Sequence, residues 1–297
     1  MAEMDEILTD FTEKAVTKSI YSNLLGWSKY YARYPKITTL DTPELYHEDM
    51  GYTDFSFQGV MYTNLTTDNV DEKIEEVTTY FTSHNYPFTW MVTSTTKPDN
   101  LDERLIAHGF KEIDGTPGMA VKLHELVDDR EKPLGLSIEL VEDETSLRLW
   151  WSLWSRGYPM PKKLADFYAD ASVYIGVEPD SPMKYYIGYL EGKPMATSQL
   201  LLSSGVAGLY SVTVVPEARG KGIGTEMSLH PLRVARSLGY SIGVLDSTMK
   251  GLGIYQRLGF KEVSTARWFT YFSEEHKAIE EKIKDFLHTP RKQTKNP

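Results

Sequence analysis

Residues Val214 to Gly224 read Val-Val-Pro-Glu-Ala-Arg-Gly-Lys-Gly-Ile-Gly: an apolar strand end passes through a proline turn into a loop with glycine at 220, 222 and 224, and a helical pattern follows. Without Cβ atoms at those three positions an anion can approach the backbone, where successive N–H groups at a helix start point at it together. The segment therefore reads as a phosphate cradle set between a strand and a helix. It is not the P-loop pattern, because Lys221 is followed by Gly222 where a hydroxyl residue should hold magnesium, which argues against a nucleoside triphosphate.

Arg219-x-x-Gly222-x-Gly224, preceded by Val-x-Pro, resembles the acyl-coenzyme A signature of the GNAT superfamily of N-acetyltransferases. A second element follows in the expected order. Thr248-x-x-Gly251-x-x-x-Tyr255-x-x-Leu258-Gly259-Phe260 is similar to the family's helix that carries a tyrosine and ends at a Leu-Gly-Phe corner. Two motifs in order are far more specific than one glycine loop.

The 297 residues, 41% of them hydrophobic, are enough for one large or two ordinary domains. Apolar runs are broken well before the roughly 18 residues of a membrane span, and the acidic start Met-Ala-Glu-Met-Asp-Glu is unlike a secretory signal, so a cytoplasmic protein without membrane contact is expected. The absence of cysteine excludes disulfides, thiolate metal sites and an acyl-cysteine intermediate. The seven histidines are scattered with no His-x-x-x-His pair, and no metal is expected. A net charge of −10 argues against nucleic acid as a partner. The oligomeric state is left open between monomer and homodimer.

Gly109-Phe110-Lys111-Glu112-Ile113 recurs as Gly259-Phe260-Lys261-Glu262-Val263, each copy after a helical stretch and before a strand-like one, which suggests a duplicated domain. At the matching offset from the glycine cradle the first half reads Thr66-Thr67-Asp68-Asn69-Val70-Asp71-Glu72-Lys73-Ile74. That stretch has no glycine and three acids, so it cannot bring amides up to a pyrophosphate and would repel one. The first half thus resembles the degenerate domain of tandem GNAT proteins. The expected organisation is a degenerate domain over 1–126, a charged linker over 127–135, a catalytic domain over 136–272, and a C-terminal helix with a basic tail over 273–297.

Hydrophobic patterns place strands at 137–141, 185–190, 194–203, 206–215, 241–245 and 261–272, with a hairpin turn at Glu191-Gly192-Lys193. Helices are read at 144–156, 162–171, 222–238 and 251–258, and Pro231 should kink the third or split off its first two turns. The fold class is α/β: two tandem GNAT-like domains, each a mixed, mostly antiparallel sheet flanked by helices.

The resemblance implies an acyl-coenzyme A slot between splayed strands at 206–215 and 241–245, with the backbone of Val212, Thr213 and Val214 meeting the pantetheine and one strand amide polarising the thioester carbonyl. Arg219, Gly220, Lys221, Gly222, Ile223, Gly224 and Thr225 would meet the pyrophosphate, with a further contact from Thr248, which stands where many family members have asparagine or serine. Tyr255 would protonate the leaving thiolate, its phenol being protonated at neutral pH; a buried aromatic without a chemical role is the alternative.

No acid lies on the strand at 205–214 where family members often carry a glutamate. Asp246 is the nearest substitute by sequence, a turn or helix-cap role being equally compatible, and Ser211 or Tyr210 could hold a water. Trp154, Arg156 and Tyr158 lie where the family lines its acceptor pocket, although tryptophans at helical spacing also suit a core. These residues imply transfer of an acetyl group from acetyl-CoA to a primary amine of a small molecule or peptide in a ternary complex. A non-catalytic acyl-CoA sensor or scaffold and a transferase of longer acyl chains stay open.

Overall fold

The computed structural model describes residues 6–51, 58–158, 162–272 and 276. In chain order the elements are α1 (Glu13–Tyr31), β1 (Thr38–Asp41), β2 (Leu45–Asp49), β3 (Gly59–Thr63), α2 (Val70–Ser83), β4 (Phe88–Val92), α3 (Leu101–Ala107), β5 (Lys111–Lys122) and β6 (Leu136–Leu140). They continue with α4 (Glu144–Gly157), α5 (Lys162–Ile175), β7 (Met183–Leu190), β8 (Lys193–Ser203), β9 (Val206–Val214), α6 (Ile223–Ser237), β10 (Ile242–Asp246), α7 (Leu252–Arg257) and β11 (Lys261–Tyr271). The expected C-terminal helix and basic tail over 273–297 fall outside the described residues apart from His276. Among the described residues no helix is long and apolar enough to cross a membrane.

The chain forms an α/β fold with two compact units that do not follow a linear cut at 127–135. The larger unit takes residues 1–34, 119–246 and 254–263, and the other takes 35–118, 247–253 and 264–297. Helix α1 belongs with the later half because Asn23 donates to the main-chain oxygens of Leu201 and Ser203 on β8. The last strand, β11, contributes Arg267–Tyr271 to an antiparallel ladder with Val92–Phe88 of β4 in the smaller unit. Strand β5 is divided between the units at 118/119.

In the smaller unit the strand order is β1-β2-β3-β4-β11-β5. Its core is built by one face of α2 (Val70, Ile74, Val77, Phe81), spaced three and four apart, against Val60, Phe88, Trp90 and Phe269. Asp71 and Glu72 occupy the first turn of α2, where their charge suits the helix dipole and leaves no place for an anion.

In the larger unit the order is β5-β10-β9-β8-β7-β6. The β7–β8 turn has Glu191 and Gly192 at φ +52° and +75°, the left-handed pair that a two-residue hairpin requires, as the sequence predicts. Helix α4 opens with Asp143 accepting from Ser146 N–H at 2.7 Å in a reciprocal cap. Helix α6 runs through Pro231 as one element, so its first turns are not split off. It lies close on β7, where a Cβ on Gly188 would stand 2.6 Å from the Met227 sulfur. The closing stretch at 261–272 is the single strand β11.

Candidate active site

Strands β9 and β10 run parallel but are paired only at Ala207 with Gly243 and Gly208 with Val244. Beyond those pairs β9 keeps its ladder with β8 alone. The register of that ladder shifts so that Ser198 of β8 spans both Ser211 and Val212, with Ser211 at φ +52° and its carbonyl accepting from Thr197 Oγ1 at 2.9 Å. Such a bulge bends the strand that carries it, which accounts for the parting of β9 from β10 over Val212, Thr213 and Val214.

At the end of β9 the chain turns through Pro216–Ala218 into the glycine run. Gly220 and Gly222 have φ of +79° and +77°, and Gly222 is the N-cap of α6 with no side-chain hydrogen bond. A Cβ on Gly220 would meet nothing within 4 Å, and one on Gly222 only Pro133 at 3.5 Å. Ile223 and Gly224 stand in the first turn, where N–H groups have no intrahelical acceptor, while Thr225 N–H already reaches Gly222 O at 3.1 Å. Lys221 is exposed. The open space, the bare amides and the helix dipole fit a diphosphate. Arg219 is engaged differently: its Nε donates to Val214 O at 3.0 Å and its Nη2 to Gly157 O at 2.6 Å, bracing the end of β9 against the end of α4.

Tyr255 on α7 lies beside Ser228 of α6. Ser228 gives its own proton to Gly224 O at 2.9 Å. Burial pushes the Tyr255 phenol up to about 12, and the same cause takes Tyr158 to about 12. Both are acids that stay protonated at neutral pH. Tyr158 also stacks on Trp154 at 5.3 Å between ring centroids.

Asp246 ends β10. Its Oδ1 is shielded from solvent and has no hydrogen-bond partner, and burial alone raises its carboxyl from 3.8 to about 7. Raised by desolvation rather than held by a cation, it is a carboxylate suited to taking a proton near neutral pH. A helix-cap role does not fall to it: Thr248 Oγ1 accepts from Gly251 N–H at 3.2 Å just before α7.

Tyr210 on β9 feels the Asp246 charge. Its hydroxyl donates to Asn23 Oδ1 at 2.7 Å, and its ring lies 6.2 Å from that of Trp27. Neither Asn23, Trp27 nor Ser228 was singled out by motif. The helical spacing of Val16, Ile20, Asn23, Trp27 and Tyr31 is the signal that could have drawn attention to α1.

Trp154 is 8% exposed and packs edge-on against Trp151, while Trp150 donates to Tyr186 O and Ser198 O and is fully buried. Arg156 pairs with Glu217 at 2.5 Å on an exposed surface. The structure thus gathers Tyr255 with Tyr158 and Trp154, and Asp246 with Tyr210, while Arg156 and Arg219 have protein partners.

Residues 146–260 match the model of the acetyltransferase (GNAT) family. No curated protein matches the sequence. Among solved structures, a GCN5-related N-acetyltransferase from Kribbella flavida superposes with a TM-score of 0.67 at 16% identity, over 91% of this chain and 99% of that one. A tandem GNAT protein from the clavulanic acid biosynthesis pathway gives 0.58 at 12% identity, over 90% and 97%. A GCN5-related N-acetyltransferase from Sphaerobacter thermophilus gives 0.57 at 12% identity, over 86% and 91%. At these identities the likeness is one of fold, and that fold includes tandem GNAT proteins.

Proposed function

The chain belongs to the GNAT superfamily through residues 146–260, and from that premise we propose that it is an N-acetyltransferase moving an acetyl group from acetyl-CoA to a primary amine of a small molecule or peptide. Acetyl-CoA supplies the activated acyl group as a thioester. The observation that carries the reading is the parting of β9 from β10 directly before the open glycine turn, with a carboxylate at one strand end whose Oδ1 is shielded and unpartnered.

In this reading the amides of Gly220 to Gly224 and the side chain of Lys221 hold the diphosphate. The freed edge of β9 at Val212 to Val214 pairs with the pantetheine, and one of its amides polarises the acyl carbonyl. Asp246, ionised above about pH 7, accepts the proton that the amine must lose. Tyr255 supplies a proton to the departing sulfur. Arg219 acts by fixing the end of β9 through Val214 O, in place of the direct phosphate contact expected from the motif.

The absence of cysteine favours direct attack by the amine over an acyl-enzyme route. The test is release of free coenzyme A thiol from acetyl-CoA across a broad panel of amines. Turnover on any amine, abolished in Asp246→Asn, supports the proposal. Tight coenzyme A binding with no turnover on the whole panel would leave the chain a binding module.

A further inference from the structure

Asn23 is completely buried, and it reaches from α1 to the strands of the site. Its Nδ2 donates to Ser203 O at 2.8 Å and to Leu201 O at 3.4 Å. Both acceptors are main-chain oxygens, so the amide cannot flip without placing two oxygens against Oδ1. The orientation therefore turns Oδ1 toward Gly208 and Tyr210. A Cβ on Gly208 would stand 1.9 Å from Oδ1, and the glycine is what admits the amide. Into this fixed acceptor Tyr210 donates its hydroxyl at 2.7 Å.

The last β9–β10 pair is Gly208 with Val244. Two residues further along each strand stand Tyr210 and Asp246, on the same face of the sheet by the period of two. A phenol has one proton, so a hydroxyl given to Asn23 cannot also donate to a carboxylate. Asp246 Oδ1 is buried without a donor. The titratable group facing Asp246 from β9 is Tyr210, and α1 offers the uncharged Asn23. The neighbouring strand β5 contributes the buried apolar Met119, Ala120 and Val121. Burial is the cause that raises the carboxyl.

We propose that Asn23 is a positioning residue for the transfer reaction: by accepting the Tyr210 proton it keeps that hydroxyl off Asp246 and leaves the carboxylate free to take the proton of the incoming amine. The inference rests on the reading of Asp246 as the base, and it gives the first helix a part in the chemistry.

The test is a titration of the full chain carrying 13C-carboxyl aspartate, followed by NMR, with the Asp246 signal assigned by its loss in Asp246→Asn. The wild-type midpoint should lie near neutral pH. Asn23→Ala frees the hydroxyl to donate to Asp246, and the midpoint should fall by about one pH unit, a tenfold change in proton affinity. Adding Tyr210→Phe to that variant should return the midpoint to the wild-type value, which a merely structural asparagine would not do. Tyr210→Phe alone should leave it in place. A midpoint unmoved by Asn23→Ala, or a double variant as shifted as the single one, overturns the proposal. Should Asn23→Ala fail to fold, Tyr210→Phe decides: a midpoint that rises shows that the hydroxyl was serving Asp246 all along. This readout is independent of turnover. Failure of the base assignment would appear separately, as wild-type kcat in Asp246→Asn.

Discussion

Tyr210 on β9 gives its hydroxyl to Asn23 Oδ1 on α1 at 2.7 Å, joining residues 187 apart in sequence at the point where β9 and β10 separate. The bond is possible because Gly208, two residues before Tyr210, has no side chain. Gly208→Ala should therefore displace Asn23 and lower stability by about 1–3 kcal/mol, as overpacking a filled core does. Urea denaturation checks it. An unchanged midpoint would show that Asn23 can move aside freely.

Asp246 yields a pH dependence in two observables. As a base it works ionised, so kcat/KM should fall on the acid side with a midpoint near pH 7, and Asp246→Asn should remove that limb together with most of the activity. For stability the sign is opposite. A carboxyl raised from 3.8 to about 7 favours the folded state fully below pH 3.8, and this contribution is lost as pH rises through about 7. Asp246→Asn should accordingly raise Tm relative to wild type at pH 8 more than at pH 5. Equal shifts at both pH values would contradict the buried carboxyl.

Tyr255→Phe removes one hydroxyl and keeps the ring beside Phe260, whose centroid lies 5.8 Å away. Loss of the proton donor should lower kcat by roughly 10²–10⁴-fold with coenzyme A affinity almost untouched. Rapid-quench kinetics on a verified amine, under conditions where chemistry limits the rate, makes the comparison. Wild-type kcat there would assign Tyr255 a packing role.

Gly222→Val tests the cradle. The left-handed backbone at φ +77° makes a β-branched residue strained by roughly 1–2 kcal/mol, yet the added Cβ meets only Pro133 at ordinary contact distance, so the fold should survive. Coenzyme A binding should be lost by calorimetry while circular dichroism is preserved. Retained affinity would move the diphosphate elsewhere.

Features set by short-range geometry could be read from the sequence. The Glu191-Gly192 hairpin and the glycine run demand φ values that few residues adopt, and the strand and helix periods around them follow from which positions face a core. The same local logic told the two halves apart. Asp71 and Glu72 in the first turn of α2 carry their meaning without knowledge of any neighbour. Partners distant along the chain were not legible. Arg156 meets Glu217 across 61 residues and Arg219 meets Gly157 across 62, which turns two cations that read as ligand contacts into paired or bracing groups.

The sequence by itself determined the candidate site's backbone: the glycine turn, the strand that feeds it, and the tyrosine helix downstream, because each is specified by residues within a few positions of one another. Tertiary structure alone decided the state of the acids and bases. The rise of Asp246 to about 7 comes from water being removed by elements that the chain brings together from far apart, and the bond that occupies Tyr210 comes from a helix at the opposite end of the sequence. Desolvation and hydrogen-bond geometry depend on what surrounds a group in space, and that surrounding exists only once the chain has folded.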